Sequence, residues 1–248
     1  MINKKLIFDL GFHNGDDSDF YLQKGFNVVA IEANTVLVKA GTRRFANYIK
    51  EGRLKLINRV ITDTKGIVKF YINPTRSDWS SCDKRLAEID NSKSITISVK
   101  TISIGDLCRK FGTPLYAKID IEGQDVTAAR QIYDLMEKPQ YVSFETSKQT
   151  YMGIFSWLYI SGYSSFQLVN QLKNPGRKDE KSNTSGEGKR LTDYRFSEFS
   201  SGFFGRDLPP DKWLAYDEAL SRYLKYKELK ILDNQELALG WLDLHAKL

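Results

Sequence analysis

Apolar and polar positions alternate in blocks over residues 5–146. Residues 5–9, 27–32, 54–60, 115–121 and 140–145 are short, nearly continuous apolar runs, as expected of strands buried on both faces. Residues 67–72 alternate strictly after the turn Asp63-Thr64-Lys65-Gly66, which predicts a strand running back. Between these runs, residues 16–24, 35–50, 103–112 and 125–137 read as helices. Gly52 ends the second of them, and Gly112-Thr113-Pro114 ends the third. Residues 151–161 and 164–170 add one more helix and strand. Repeated βα alternation predicts an α/β fold with a mostly parallel sheet covered by helices on both faces.

The pattern stops near residue 173. Residues 173–193 are rich in Lys, Gly, Ser, Asn and acids and carry too few apolar side chains to fold alone, which predicts a flexible loop or a lid. Residues 217–232 and 235–248 show helical spacing of Leu, Tyr and Trp. They predict a helical cap, with His245 at the surface. The expected organisation is a core over 1–172, a loop or lid over 173–193, and a C-terminal segment over 194–248.

Composition narrows the classes. Of the 248 residues, 41% are hydrophobic and 27% charged, enough for a real core and unlike a disordered chain. Cys82 and Cys108 have no paired spacing and no clustered histidine, which argues against structural zinc. No apolar run approaches the roughly 18 residues of a membrane span, and the first apolar run is too short for a signal peptide. A cytoplasmic protein is expected. The net charge is +6, but basic and acidic residues interleave along the chain. Nothing gathers them into the stripe that nucleic acid would need.

The most informative stretch is Phe8-Asp9-Leu10-Gly11-Phe12-His13-Asn14-Gly15, directly after the first strand. Small residues are needed where a chain turns sharply from strand to helix against a ligand. A dinucleotide fingerprint would need glycine where His13 stands. Asp16 and Asp17 open the following helix. They suit its dipole but would repel a pyrophosphate there, whereas a ligand with a cationic centre and an ammonium group fits. S-adenosylmethionine is such a ligand. Glu32 ends the second strand, before Ala33-Asn34, where a carboxylate can accept two ribose hydroxyls.

These stretches, with VKTISIGDL, YAKIDIEGQD and YVSFE further on, resemble the FkbM-type family of S-adenosylmethionine-dependent methyltransferases. The resemblance covers about residues 5–145. VNQ and SGFFGRDLPPDKW in the tail look like a sugar-associated branch of that family. It implies a class I methyltransferase sheet of seven strands and O-methylation, often of a sugar or natural-product hydroxyl. The cofactor would contact Asp9, Gly11, Phe12, Asn14, Gly15, Glu32, Ala33 and Asp120. Many relatives carry Ala-Asn where this chain has Phe12-His13, so His13 is open between a loop contact, a cofactor contact and the base.

Lys118, Asp120 and Glu122 alternate along the end of one strand and so point in one direction. They form either a structural charge cluster or part of an active edge where α/β ligands bind. Glu145 ends the neighbouring strand. Glu122 is the favoured general base, then Glu145. Asp120 and Glu145 are the residues to hold a divalent cation, if one is used. Trp79-Ser80-Ser81, Lys118 and Asn170-Gln171 are candidate acceptor contacts. The Trp ring would stack on a sugar's C–H face.

The leading expectation is an O-methyltransferase acting on a sugar, glycan or small natural product. An RNA methyltransferase is the alternative that net charge favours. A non-catalytic binding protein of the same fold is the other. An amino-methylating enzyme would carry Asn/Asp-Pro-Pro-aromatic where this chain has Asp120-Ile121-Glu122-Gly123.

Overall fold

The computed structural model describes residues 1–176, 187–228 and 242–248. Among the described residues, ten strands and eight α-helices follow in order: β1 (Asn3–Leu10), α1 (Asp16–Gln23), β2 (Asn27–Glu32), α2 (Thr35–Arg44), α3 (Ala46–Lys50), β3 (Leu54–Asn58), β4 (Val60–Ile61) and β5 (Ile67–Ile72). Then come α4 (Lys84–Ala87), β6 (Ile95–Ile102), α5 (Ile104–Phe111), β7 (Pro114–Ile119), α6 (Asp125–Tyr133), β8 (Tyr141–Thr146), α7 (Tyr151–Ile160), β9 (Ser165–Asn170), α8 (Tyr216–Glu228) and β10 (Leu242–Lys247).

Seven strands form the main sheet in the order β3-β2-β1-β7-β8-β10-β9. Strands β3, β2, β1, β7 and β8 pair in parallel, and β10 runs antiparallel between β8 and β9. This is the class I methyltransferase architecture, with the mostly parallel sheet and two helical layers that the sequence predicts. A smaller sheet, β4-β6-β5, stands beside it. Its strand β6 was not expected, although Ile95, Ile97 and Val99 alternate along it.

The period-2 pattern of β1 sorts the two faces. Leu6, Phe8 and Leu10 pack with α5, α6, α7 and α8 through Leu107, Ile132, Phe155 and Tyr223. Ile7 joins the opposite face, where Phe20 and Tyr21 of α1 meet Phe196, Phe203 and Phe204 from the tail. Phe204 stacks on Tyr116 of β7 with ring centroids 4.5 Å apart. Local signals fix the helix starts: Asn34 caps α2 through its side chain, and Ser103 with Asp106 makes a capping box on α5.

Two expectations about the tail change. Residues 242–247 are a strand and not part of a helix, and His245 is 1% exposed and not at the surface. The alternation Leu242, Leu244, Ala246 against Asp243, His245, Lys247 sends the first set into the α6–α7–α8 face and the second across the sheet. Because Leu244 is fully buried in an interior strand, Leu244→Ala should lower unfolding stability by about 2–5 kcal/mol in denaturant titration. A surface helix there would give a loss near zero.

Within the expected loop at 173–193, residues 177–186 lie outside the described residues. Its two flanks are packed. Asn174 is buried and its amide donates to Ser200 O at 2.9 Å; Glu187 is buried against Arg206 at 2.9 Å. Nearby, Lys24 and Asp207 form a buried ion pair at 2.8 Å. No helix among the described residues is long and apolar enough to cross a membrane.

Candidate active site

The carboxyl ends of β1, β2, β7 and β8 open into one cavity of about 1090 Å³, counting its mouth. One side is apolar, with Ile31, Ala33, Leu37, Val60 and Phe70. The other carries Asp17, Asp120, Glu122, Glu145 and Gln171, with His13, Ser77, Trp79, Ser80 and Phe199 around them.

The glycine turn shapes the first wall. Gly11 has φ +97°, and a Cβ there would stand 1.8 Å from the carbonyl oxygen of Asp120. The turn is therefore pressed against the β7 terminus, and only glycine fits. Gly11 and Phe12 both donate backbone N–H groups to Ile31 O, at 3.1 and 3.0 Å. Gly15, at φ +86°, begins α1. A Cβ on it would overlap the rings of Phe12 and Phe45. The Phe12 ring is thus turned into the core, 2% exposed, and packs edge-on against Phe45. Asn14 lines the cavity and its amide donates to Asp16, whereas Asp9 and Gly15, expected to contact the cofactor, are not among the lining residues.

Glu32 accepts backbone N–H groups from Asn34 at 2.7 Å and His13 at 2.8 Å, one on each carboxyl oxygen. Each oxygen keeps acceptor capacity toward the cavity. Burial pushes this carboxyl up to about 7, against the pull of those two bonds. His13 adopts φ 49°. Its Nε2 lies 2.9 Å from Ser77 Oγ and its ring centroid 5.3 Å from that of Phe199. Burial and Lys118 lower its pKa, so the imidazole is neutral at pH 7.

Lys118 is the charge hub. It is 4% exposed, donates to Gly11 O at 2.9 Å, and lies 3.4, 3.7 and 3.8 Å from carboxyl oxygens of Asp120, Asp17 and Asp9. Its ammonium, expected to contact the acceptor, is committed to these four groups. Burial raises Asp9, and burial raises Asp17 to about 7. Asp17 also accepts Ser201 N–H at 2.8 Å, which fastens the tail to α1.

Asp120, Glu122 and Glu145 converge. Each offers a carboxyl oxygen, and the three oxygens lie within 4.8 Å of one another. This spacing could hold a divalent cation. Strand β7 ends at Ile119, so Asp120 and Glu122 reach the cluster from the following turn. Their approach does not depend on strand alternation. Glu122 sits at φ 22°, its carbonyl held by Ser81 Oγ at 2.7 Å. Burial favours the neutral form of Asp120, but Lys118 and a hydrogen bond from Glu145 outweigh it and hold this carboxyl below its ordinary value. Burial first, then Asp120, pushes Glu122 up to about 8 and raises Glu145 well above the usual range. In this cluster the charged form is favoured at Asp120 and the neutral form at Glu122 and Glu145.

The expected acceptor contacts divide. Trp79, Ser80 and Gln171 line the cavity. One face of Trp79 is covered by Arg76, 4.4 Å from the ring centroid. Among the described residues, Ser81 and Asn170 are not in the cavity wall; Asn170 caps the turn at Leu172 N. Ser77, Phe199 and Asp243 had no signal that singled them out as site residues. Asp243 was hidden by the helical reading of the C-terminus.

No protein-family model and no curated protein sequence matches the chain. Solved structures do. A methyltransferase FkbM from Methylobacillus flagellatus KT aligns at 17% identity and TM-score 0.43, over 66% of this chain and 39% of that one. The C-terminal domain of precorrin-6Y C5,15-methyltransferase from Rhodobacter capsulatus aligns at 10% identity and TM-score 0.41, over 67% and 65%. A SAM-dependent O-methyltransferase from Thermotoga maritima aligns at 7% identity and TM-score 0.39, over 99% and 60%. The chain therefore spans well under half the length of the Methylobacillus protein.

Proposed function

We propose that this chain is an S-adenosylmethionine-dependent methyltransferase of the FkbM type that methylates a hydroxyl of a sugar, glycan or small natural product. The observation that carries the reading is the pairing, in one cavity, of the Glu32 carboxyl on an apolar flank with the Asp120–Glu122–Glu145 cluster. The cofactor's chemistry fits these residues. Ile31, Ala33, Leu37 and Val60 offer apolar lining to a purine, Glu32 offers acceptors to ribose hydroxyls, and Asp17 and Asp120 suit an ammonium group and a sulfonium. When bound, S-adenosylmethionine supplies an activated methyl group for in-line displacement.

The chain's own residues then position the reactants and take up a proton. The Gly11 turn and Lys118 hold Asp120 in place, so the cluster is set before an acceptor arrives. Glu122 is the residue placed to receive the acceptor's hydroxyl proton, because its carboxyl lies at the cavity surface and has no hydrogen-bond partner among the described residues. Burial and the neighbouring Asp120 favour the neutral form of Glu145, which suits it less to that role. The Asp120 carboxylate would repel a phosphodiester brought beside it, which favours an acceptor hydroxyl without an adjacent phosphate over RNA.

Calorimetry with S-adenosylmethionine and transfer of labelled methyl into nucleotide sugars, glycans and RNA test the proposal. Glu32→Ala should weaken cofactor binding by about 1.5 kcal/mol or more, roughly tenfold. Equal affinity of wild type and variant would refute the assigned cofactor site. Tight binding with no transfer to any acceptor would point to the non-catalytic relative of this fold.

A further inference from the structure

The strand that the sequence hides brings a buried carboxyl up behind Gln171, a residue of the cavity wall. Asp243 lies on β10 in register with Glu145 of β8 and is 2% exposed. It accepts a hydrogen bond of 2.5 Å from the side-chain Nε2 of Gln171. Gln171, immediately after β9, is 7% exposed and lines the cavity. An amide has one donor end and one acceptor end. With its nitrogen committed to Asp243, the other end is fixed too. The Gln171 carbonyl oxygen has no partner among the described residues and is not sealed from solvent.

We propose that Asp243 is a positioning residue that locks the Gln171 amide with its carbonyl oxygen toward the cavity, so that this wall receives hydrogen-bond donors. Resting on the methyltransferase reading, this assigns the acceptor a second donor group, a hydroxyl or amine beside the one methylated. Vicinal polyols carry that arrangement. Ether, ester or phosphate oxygens at the same place would face a carbonyl without a proton between them, at the cost of a desolvated acceptor. Specificity of this kind comes from polarity more than from shape, because a site built to bond a donor rejects its absence strongly.

The Gln171 side-chain amide signals of the ¹⁵N-labelled full chain decide the matter at pH 8, assigned by their disappearance in Gln171→Leu. In the wild type one amide proton should lie downfield and exchange with water at least about tenfold more slowly than a free amide. Asp243→Leu should abolish both features, and Asp243→Asn, which can still accept through its carbonyl, should restore them. Glycerol, used as the polyol probe, should shift the Gln171 signals in wild type and Asp243→Asn but not in Asp243→Leu. Freely exchanging amide protons in the wild type would mean that the amide is reversed and would overturn the proposal. So would a glycerol response that is absent from wild type or unchanged in Asp243→Leu. If Asp243→Leu does not fold, Asp243→Ala, which likewise removes the acceptor, replaces it with the same expected and overturning results. Calorimetry with S-adenosylhomocysteine on the same samples reports separately on the methyltransferase reading, because the amide signals do not require cofactor.

Discussion

Glu122→Gln is expected to leave S-adenosylmethionine affinity within about threefold while slowing methyl transfer by roughly 10²-fold or more. The argument rests on the unequal environments of three neighbouring carboxyls. Asp120 faces Lys118 at 3.4 Å and is held ionised. Burial, then Asp120, raises Glu145 well above its ordinary value and favours its neutral form. Glu122 forms no ion pair with Lys118, and burial beside Asp120 raises it to about 8. A raised pKa makes a stronger base, yet one that must first lose its own proton. Turnover should therefore climb as pH rises toward about 8 and level above it, and Glu122→Gln should flatten that limb. Glu145→Gln can still donate to Asp120 through its amide, so its rate should stay within about tenfold of wild type. The pair of variants separates the two candidate bases. Assays with and without chelator separate both from a metal mechanism, since a cation bridging the three oxygens would make activity vanish on chelation. Full activity of Glu122→Gln in chelator would leave neutral His13, bonded to Ser77, as the base.

How much of this was legible in the sequence follows from the range over which each feature is determined. The runs at Phe8, Val29 and Val142 carry their own period, so the parallel core and its order of βα units could be read locally. Glu32 and the Gly11 turn could be placed because both immediately follow a strand. The convergence of Asp120, Glu122 and Glu145 followed from adjacent strand ends, although a turn at Ile121-Glu122-Gly123 delivers two of them. Strand β10 was lost for a physical reason. Its polar residues Asp243 and His245 are buried in the sheet, where a sequence reading expects apolar side chains. Leu242 and Leu244 also satisfy a helical spacing when the segment before them is taken as helix. For Lys118 the sequence offered the local cluster with Asp120, but its other partners Asp9, Asp17 and Gly11 are more than 100 residues away and left no local trace. Phe199 over His13 depends on Ser201 N–H reaching Asp17, a contact with no local trace.

Gly11→Val is expected to have the largest effect on the fold and the cofactor site together. From the sequence, a small residue is expected at Gly11 because a ligand approaches the turn. The structure gives a different cause. A Cβ at residue 11 would meet the Asp120 carbonyl oxygen at 1.8 Å and its carbonyl carbon at 2.8 Å, both backbone atoms that cannot swing away. A β-branched residue also resists φ +97°. Relieving the overlap means pushing the turn off the β7 terminus, which breaks the Lys118–Gly11 O bond and displaces Asp120. The loss should reach about 4 kcal/mol or more in denaturant unfolding, the range reserved for backbone strain combined with a disrupted charge network. S-adenosylmethionine binding should fall below detection even where the protein stays folded. Gly25→Ala provides the control. Gly25 has a similar φ, +91°, but a Cβ there meets nothing within 4 Å, so only the conformational cost of about 1–2 kcal/mol applies and cofactor affinity is unchanged. If both substitutions cost the same, the close approach of the turn to Asp120 is not what makes glycine necessary at residue 11.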